Sequence, residues 1–272
     1  MNQEHVKAFQ TGGYALVPSL FTEDEVSFYR EHYTALRQTG AYEGDSSGVS
    51  QDDNDPLKKW PRMIHMHRWD DVSLNWLIDP RLDEQMTALL GASPFAVQTM
   101  LYFKPPGSRG QALHQDNFYL QVQPGTCCAA WMALDDCDEE NGCLQVVPRT
   151  HTTPELCPEP ANLDESFTDV TVPLAQGMRP TPIKMKAGDV LFFNGQLIHG
   201  SFPNSSQSRF RRALIGHYIM AEANKVAKHY HPVLRMDGTE VELGVSERGG
   251  ECGVWVERDG EQTTERIKRV SI

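Results

Sequence analysis

The sequence predicts a mainly β fold, a β-sandwich or jelly roll, with helices packed outside it. From residue 95 onward, short apolar stretches rich in β-branched and aromatic residues alternate with turns. No long helical pattern interrupts this region, and two helical patterns precede it. Many short strands separated by turns are typical of sandwiches and jelly rolls. No linker or internal repeat divides the chain, so we expect a single domain over residues 1–272.

Residues 1–94 are expected to form a largely helical N-terminal region. After a short strand in "GGYALVPSLF", Thr22 and Glu25 have the spacing of a capping box. A helix from about 23 to 38 should follow it. Its apolar stripe, which indicates a packing role, consists of Val26, Tyr29, Tyr33 and Leu36.

A second helix is predicted from about Pro80 to Leu90. Asp79 suits the N-cap position, Pro80 suits the first turn, and Gly91 suits the C-terminal stop. Between the two helices, the polar segment 40–56 is rich in Gly, Ser and Asp. That composition predicts a loop or a mobile flap.

Residues 95–220 should form the β core, and residues 221–272 a C-terminal extension. Candidate strands are "FAVQTMLYF", "CCAAWMAL", "CLQVV", "VTVPL", "PIKM", "DVLFF", "RRALIGHYIM" and "CGVWV". The "ENGC" stretch at 140–143 carries the Asn-Gly signal of a tight hairpin.

Composition and charge exclude some classes of partner. The chain has 272 residues, enough to bury a sizeable core, and a formal net charge of -12. This charge argues against nucleic acid and anionic membranes as partners, whereas a small-molecule substrate is compatible with it. The longest apolar stretch is too short to span a bilayer, and the start lacks a signal-peptide pattern, so we expect a cytoplasmic protein. The sequence does not indicate an oligomeric state.

The six cysteines form no CxxC pair, which argues against a structural zinc site. Without a secretion signal, reduced thiols are expected, and several should be small core side chains.

The most informative short motif is "ALHQD", which contains His114 and Asp116. If this stretch is a strand, residues two apart point to the same face. Two imidazoles and one carboxylate form the facial triad of non-haem Fe(II) oxygenases, which leaves coordination positions open. An HxD pair alone is weak, because such pairs also occur by chance.

His199 is the best candidate for the third ligand, since it ends the apolar strand in "GDVLFFNGQLIHGS". His217 lies inside a predicted strand, where it is a core residue or supports a ligand. His229 and His231 lie in a polar stretch and should be exposed.

A basic strand, "RFRRALIGHY", follows this histidine. The planar fork of an arginine suits the distal carboxylate of a chelating dicarboxylate such as 2-oxoglutarate. Arg211 shares a strand face with Ala213, Ile215 and His217, so we choose it over Arg209 and Arg212.

In combination these motifs resemble the phytanoyl-CoA dioxygenase family of Fe(II)/2-oxoglutarate-dependent oxygenases. The matching stretches are "LHQD", "AAWMAL…ENGCLQVVPRTH", "GDVLFFNGQLIHGS", "FRRALIGHY" and the opening "FQTGGYALVPSLFTEDEV". The resemblance covers about residues 9–220. It implies a double-stranded β-helix, that is, a jelly roll of the cupin-like kind.

The resemblance also implies roles for individual residues. It implies iron at His114, Asp116 and His199, and a salt bridge from Arg211 to 2-oxoglutarate, with Arg209 as the alternative because the spacing from His199 is one residue long. Ser201 matches a position that helps to bind the co-substrate carboxylate, and Trp131 matches an aromatic wall of the same pocket. Related ectoine-hydroxylase-like members use the strand face that here carries Gln98, Met100 and Tyr102, although Met100 and Trp131 are equally compatible with core packing.

The activity that this resemblance implies consumes O2 and 2-oxoglutarate, releases succinate and CO2, and hydroxylates an unactivated C–H bond. Halogenases of the superfamily have Ala or Gly in place of the carboxylate ligand, so Asp116 favours hydroxylation or a related oxidation. A non-catalytic cupin-like binding protein and a zinc enzyme are the alternatives. The first should lack a ligand or the arginine, and the second would not need Arg211.

The substrate is expected to be a small polar metabolite or a natural-product intermediate. No CoA-binding basic patch stands out in the sequence, which makes an acyl-CoA substrate doubtful. The "HMHRW" stretch, with His65, His67, Arg68 and Trp69, is expected either to border the mouth of the site or to be a surface loop anchored by its tryptophan. The 40–56 segment and the C-terminal extension are expected to close over the substrate.

Overall fold

The computed structural model describes residues 2–45, 48–247 and 249–268. Two β-sheets face each other, and helices pack on the outer side of the larger sheet. The helices are α1 (Gln3–Gly12), α2 (Glu23–Gln38), α3 (Pro56–Lys59), α4 (Asp71–Leu77), α5 (Pro80–Leu90) and α6 (Asn117–Leu120). Short 3-10 turns occupy Met66–Arg68, Thr150–Thr152 and Lys228–Tyr230.

The strands follow in chain order. They are β1 (Tyr14–Val17), β2 (Met63–Ile64), β3 (Phe95–Lys104), β4 (Gln111–His114), β5 (Cys127–Ala133), β6 (Leu144–Val146), β7 (Glu159–Pro160), β8 (Val170–Thr171), β9 (Thr181–Ile183), β10 (Val190–Asn194), β11 (His199–Ser201), β12 (Arg211–Ile219), β13 (Lys225–Val226), β14 (Val233–Arg235), β15 (Glu240–Val241), β16 (Gly244–Val245), β17 (Glu251–Arg258) and β18 (Glu261–Lys268).

The larger sheet has the order β1-β10-β5-β12-β3-β14-β15, and β2 also pairs with β3. The smaller sheet has the order β4-β11-β6-β9. The predicted mainly β fold with flanking helices is therefore confirmed. Part of the C-terminal extension belongs to the larger sheet, because β14 pairs with β3.

Both faces of the larger sheet are covered, so nearly every residue of its central strands β5 and β12 is buried. On β12, Leu214 and Tyr218 pack among the helices, whereas Ala213 and Ile215 face the smaller sheet. The inner face of β12 also carries the buried polar side chains of Arg211 and His217. The inner face, shared by the two sheets, is where the candidate site lies.

The two predicted helices form where local signals specify them. The Thr22 side chain accepts a hydrogen bond from the Glu25 amide, and the Glu25 carboxylate accepts one from the Thr22 amide, so the capping box is present. Asp79 caps α5, and Gly91 ends it in the left-handed conformation with φ 85°.

One helix was missed, and one expectation about local structure was wrong. Helix α1 was not predicted, although Asn2 caps its start and Gly13 ends it with φ 88°. The stretch 140–143 is a turn but not a hairpin, because the strand before it, β5, and the strand after it, β6, belong to different sheets. The Asn-Gly pair therefore forms a turn that carries the chain from one sheet to the other.

The expectation of reduced thiols was also wrong for one pair. Cys157 and Cys252 form a disulfide that ties β17 to the segment before β7. The other cysteines, Cys127, Cys128, Cys137 and Cys143, are buried and free, as small core side chains. Across the residues that the structure describes, no helix is both long and apolar enough to cross a bilayer.

Candidate active site

Two histidines that are distant in sequence lie opposite each other in the smaller sheet. His199 on β11 is the register partner of His114 on β4, and their ring centroids are 4.2 Å apart. Both side chains are buried and line the same cavity between the two sheets. Strand pairing thus fixes the distance between the two imidazoles.

Asp116 joins this pair, but not as a strand residue. Strand β4 ends at His114, and Asp116 has helical φ and ψ values of -63° and -33° at the start of α6. Its Oδ1 atom lies 3.4 Å from His114 Nε2 and 3.5 Å from His199 Nε2. The expected strand was therefore wrong, and a strand-to-helix turn brings the carboxylate to both histidines.

The protonation pattern of these side chains fits a divalent metal ion. Each imidazole donates its Nδ1–H to a backbone carbonyl, His114 to Ala112 and His199 to Leu197, at 2.9 Å in both cases. The Nε2 atoms that face Asp116 therefore carry lone pairs, and Gln111 donates to one of them at 3.2 Å. One potential ligand atom from each residue lies within 4.8 Å of the other two.

The electrostatic surroundings favour the ligating protonation states. Burial lowers the pKa of His199 to about 4, so its imidazole is neutral near pH 7. Burial by itself raises the pKa of Asp116, but the surrounding His199, His114 and His217 outweigh it and hold that pKa well below its ordinary value. A neutral imidazole and an ionised carboxylate are the forms that bind metals.

His217 on β12 holds the second oxygen of Asp116. Its Nε2 donates to Asp116 Oδ2 at 3.3 Å, which leaves Oδ1 facing the two histidine ligands. Sequence reasoning named this residue as either core or supporting, and the contact places it in the supporting position. In the sequence, the signal for this supporting role was that His217 shares a strand face with Arg211.

The triad opens into a cavity of about 1020 Å³. Its wall includes the predicted strand-face residues and the predicted aromatic, namely Gln98, Met100, Tyr102 and Trp131. A cavity of this size is at the upper end of the range for small-molecule sites and has room for more than a small co-substrate.

The three candidate arginines have different surroundings. Arg209 is half-buried, with its side chain 39% exposed, and pairs with Asp138, whereas Arg212 pairs with Asp135. Arg211 is 2% exposed, lies 5.3 Å from the centre of the Trp131 ring, and donates from Nε to the Gly142 carbonyl at 3.0 Å. Its NH1 has no hydrogen-bond partner among the described residues. Arg211 alone of these three has a guanidinium that is free to receive an anion.

Lys104 is a cavity residue that sequence reasoning missed. It is 1% exposed, and its Nζ donates to Ser201 Oγ at 2.7 Å. Strand alternation from Gln98 through Tyr102 leads to this position, so the signal was present in the sequence. The contact joins the predicted Ser201 to Lys104, whose register partner is Arg211. Ser201 and Arg211 themselves are not among the described residues that line the cavity.

The mouth of the cavity is basic, which the sequence did not reveal. Arg62, Arg68 and Lys228 line it, and Arg68 donates to the carbonyls of His229 and His231, next to Lys228 in the chain. Beyond Asp116, the acidic residue in the described lining is Asp169. The residues are separated in sequence and meet through the pairing of β2 with β3 and through the 3-10 turn at Lys228–Tyr230.

The histidine-rich segments divide between the mouth and the core. His65 lines the cavity in a left-handed backbone conformation with φ 56°, and His229 and His231 line it from the C-terminal extension. His67 is buried and bonds Thr99 instead. Trp69 is 42% exposed and stacks on Tyr42, outside the described lining.

The predicted flap touches the cavity through Gly44, and Leu57 in the adjoining α3 also lines it. Nearby, the Tyr42 hydroxyl accepts a hydrogen bond from the Ile64 amide at 2.9 Å. Residues 46 and 47 of that segment lie outside the described residues. Closure of the segment over a substrate stays a prediction.

Comparison with known proteins gives consistent matches. Residues 9–213 match the family model described as phytanoyl-CoA dioxygenase. Phytanoyl-CoA dioxygenase 1 of Oryza sativa subsp. japonica is 30% identical over 164 residues, which cover 60% of this chain and 58% of that protein. Peroxisomal phytanoyl-CoA dioxygenase of Bos taurus is 26% identical over 238 residues, covering 82% of this chain and 69% of that protein. The match thus spans less than two thirds of the rice relative.

Solved structures share the fold at lower identity. The non-heme alpha ketoglutarate dependent epimerase SnoN from nogalamycin biosynthesis superposes with a TM-score of 0.62 and 22% identity, covering 81% of this chain and 84% of that chain. At this identity the likeness establishes the fold, a double-stranded β-helix, as the sequence resemblance implied.

Proposed function

The chain belongs to the phytanoyl-CoA dioxygenase family, and from that premise we propose that it is an Fe(II)- and 2-oxoglutarate-dependent dioxygenase. One observation carries the proposal: a buried triad of two histidines and one aspartate opens into a cavity, and two residues of its wall, Trp131 and Lys104, lie beside a buried arginine without a described acidic partner. A binding module that had lost its chemistry would not need both features.

His114, Asp116 and His199 would hold the iron through Nε2, Oδ1 and Nε2. When bound in such a site, ferrous iron activates O2 for the oxidative decarboxylation of 2-oxoglutarate to succinate and CO2 and for the oxidation of a substrate C–H bond. The chain's contribution is to fix the ligands in advance. The carbonyls of Ala112 and Leu197 hold both imidazoles in the ligating tautomer.

We propose that Arg211 binds the distal carboxylate of 2-oxoglutarate, assisted by the Ser201 hydroxyl. The free NH1 of Arg211 supports this role, and the salt bridge that Arg209 makes with Asp138 argues against the alternative. Trp131 would cover the co-substrate on one side. The strand face of Gln98, Met100 and Tyr102, which lines the same cavity, would form another wall.

Apolar packing around the site would keep water from the reacting carbon. The ring centroids of Phe193 and His199 are 4.5 Å apart, and Ile215 and Leu144 also line the cavity. Exclusion of bulk water limits the side reactions that would consume the oxidant without oxidising the substrate. This environment suits hydroxylation of an unactivated C–H bond, which is the reaction we propose.

The proposed substrate is a small polar metabolite or natural-product intermediate. Three cations at the mouth, Arg62, Arg68 and Lys228, favour a substrate that carries a negative charge. Without these cations, the chain's net charge of -12 would repel such a substrate. A cytoplasmic location also stays a prediction. The disulfide between Cys157 and Cys252 is an observation against it, since such bonds are rare in reducing compartments.

Succinate release tests the proposal without a known substrate. The protein with Fe(II), 2-oxoglutarate and O2 should form succinate slowly, and Asp116→Ala should abolish this. Asp169→Asn, which changes an exposed carboxylate at the cavity wall, is the matched control and should retain the reaction. A protein that binds zinc and forms no succinate would contradict the proposal and favour a zinc enzyme. A protein that binds metal and 2-oxoglutarate without turnover would instead favour a cupin-like binding protein.

A further inference from the structure

The C-terminal hairpin of β17 and β18 packs behind the two histidine ligands. Leu113 and Ile198 directly precede those histidines in the chain. Ile198 belongs with Leu156 to a buried apolar cluster, and Leu113 and Trp255 of β17 pack against this cluster. Trp255 also donates from Nε1 to the Pro173 carbonyl at 2.9 Å. Because successive side chains of a strand point to opposite faces, the hairpin lies behind the side chains that face the cavity.

Gln115, which lies between two of the proposed metal ligands, connects them to the segment beneath the hairpin. It is fully buried and is not among the described residues that line the cavity. Its Oε1 accepts from the Leu156 amide at 2.7 Å. Its Nε2 donates to the Pro154 carbonyl at 3.3 Å and to the Gln196 carbonyl at 2.8 Å. Gln196 precedes His199 by one turn of chain, so this one amide group joins both metal-binding segments to the segment 154–156.

The disulfide between Cys157 and Cys252 fastens that segment to the hairpin. The Cys157 amide donates to the Gly253 carbonyl at 2.9 Å, and the Gly253 amide donates to the Glu155 carbonyl at 2.7 Å. An added Cβ at Gly253 would lie 2.8 Å from Pro154 Cγ, which shows how closely the two segments approach. The disulfide joins residues 95 apart in sequence, so it holds the segments together even when these hydrogen bonds open.

We propose that the hairpin is a positioning element for the metal ligands, fastened by the Cys157–Cys252 disulfide and acting through Gln115, so that reduction of the disulfide weakens iron binding. This inference rests on the proposed function. A group that orients metal ligands without touching the metal contributes to metal affinity. Once the disulfide is broken, the hairpin can separate from the segment 154–156, and Gln115 loses the fixed partners that hold its turn.

The reduction itself is an ordinary thiol–disulfide exchange. A dithiol reductant supplies two electrons and two protons: its own S–S bond forms, the bond between Cys157 and Cys252 breaks, and both residues become thiols. Cys157 is half-buried, whereas Cys252 is 3% exposed. The sulfur of Cys157 is therefore the one that a thiolate attacks, and Cys252 is the leaving group.

The test is the Fe(II) affinity of the anaerobic protein before and after treatment with dithiothreitol, which is removed before the titration. The number of free thiols should rise by two. Fe(II) affinity should fall by about 3- to 10-fold, as when residues coupled to a site without contacting its ligand are changed. Cys157→Ser combined with Cys252→Ser should show the same loss. Dithiothreitol should not change that variant further, which makes it the control for other effects of the reductant.

Hydrogen exchange of the metal-free protein separates this role from a general loss of stability. Reduction should speed exchange of the Leu156 amide, whose acceptor is Gln115, while the amides of β5 and β12 keep their protection. Faster exchange throughout the protein would overturn the inference, because it would indicate a purely structural disulfide. This measurement needs no substitution, so it decides the question even if the serine variant does not fold.

Gln115→Leu tests the path between the hairpin and the metal ligands. It removes the side-chain hydrogen bonds and should lower Fe(II) affinity by about 10- to 100-fold. Reduction should then change the affinity of this variant by less than about 2-fold, since two changes that act through one contact are not additive. Unchanged affinity after complete reduction of the unaltered protein, or a full further loss in Gln115→Leu, would overturn the inference. Failure of the unaltered protein to bind Fe(II) would overturn the proposed function, whereas hydrogen exchange would still decide whether the hairpin holds Gln115.

Discussion

His114 and His199 are register partners on neighbouring strands, and their ring centroids lie 4.2 Å apart. The pairing of β4 with β11 sets this separation, and two backbone carbonyls set the orientation of the rings. The site is therefore arranged by the sheet itself. A metal site formed in this way does not depend on a mobile loop for its two imidazole ligands.

The contact between His217 and Asp116 predicts a measurable effect on metal affinity. His217→Phe keeps a planar ring but removes the donor to Asp116 Oδ2. Fe(II) affinity should fall by about 10- to 100-fold, as is typical when a group that orients a metal ligand is lost. Anaerobic Fe(II) titration measures this. His229→Phe at the mouth is the matched control, and an equal loss in both variants would contradict a specific role for His217.

The different surroundings of Arg211 and Arg209 predict that replacing them will affect co-substrate affinity differently. Arg211→Met should weaken 2-oxoglutarate binding by roughly 100-fold, because the partner charge of a buried carboxylate is removed. Arg209→Met should change it by less than about 3-fold, since the Arg209 side chain is 39% exposed and pairs with Asp138. Anaerobic calorimetry compares the two variants. A larger loss for Arg209→Met would show that the wrong arginine was chosen.

Gly142 predicts a link between a turn and the co-substrate site. Its φ is 87°, and an added Cβ would lie 2.6 Å from Lys104 Cδ and 2.8 Å from the Phe202 carbonyl oxygen. Gly142→Ala should lower the free energy of unfolding by roughly 3 kcal/mol, combining backbone strain with overpacking. Chemical denaturation measures it.

Gly177 supplies the control for that measurement. It has a φ of 85°, but nothing lies within 4 Å of its added Cβ, so Gly177→Ala should cost only about 1 kcal/mol. Equal destabilisation of the two variants would mean that the contacts with Lys104 and Phe202 do not matter. Gly142→Ala should also weaken 2-oxoglutarate binding, which Gly177→Ala should not.

The capping box of α2 predicts a dependence of stability on pH. The hydrogen bond from Arg81 is the main reason that the pKa of Glu25 falls from 4.5 to about 2. A carboxyl whose pKa is lower in the folded state stabilises fully above pH 4.5 and loses this effect as the pH falls towards 2. Because the side chain is 34% exposed, solvent screening reduces the contribution to about 1 kcal/mol.

Glu25→Gln tests that dependence, because glutamine retains the capping geometry without the charge. The variant should be less stable near pH 7, and its difference from the unaltered protein should shrink as the pH falls from about 4.5 to 2. Glu31→Gln on the same helix is an exposed control and should show little difference. A difference that stays constant with pH would contradict the charge effect.

Local signals allowed the helices α2 and α5 to be predicted, because a capping residue and a stop residue each act over one turn. Which strands pair with each other could not be predicted in the same way. The Asn141-Gly142 turn illustrates this, since its residues favour a tight turn but do not determine which sheets it joins. Sheet pairing is decided by contacts between segments that are distant in sequence.

The same contrast between local motifs and contacts that are distant in sequence applies to the candidate site. His114, Asp116 and His199 could be proposed from motifs, and strand alternation placed Arg211 and His217 on one face. The cluster of Arg62, Arg68 and Lys228 was not predicted, because its members come from segments that meet only in the folded chain. Lys104 was missed although alternation pointed to it, because a lysine in a strand is ordinarily read as exposed.

The most direct test of the account is the visible metal-to-ligand charge-transfer band of the anaerobic protein with Fe(II) and 2-oxoglutarate. We expect this band in the unaltered protein, its loss in Asp116→Ala, and its weakening in Arg211→Ala at limiting 2-oxoglutarate. Absence of the band from folded, iron-loaded protein would contradict the claim that this triad and this arginine form an oxygenase site.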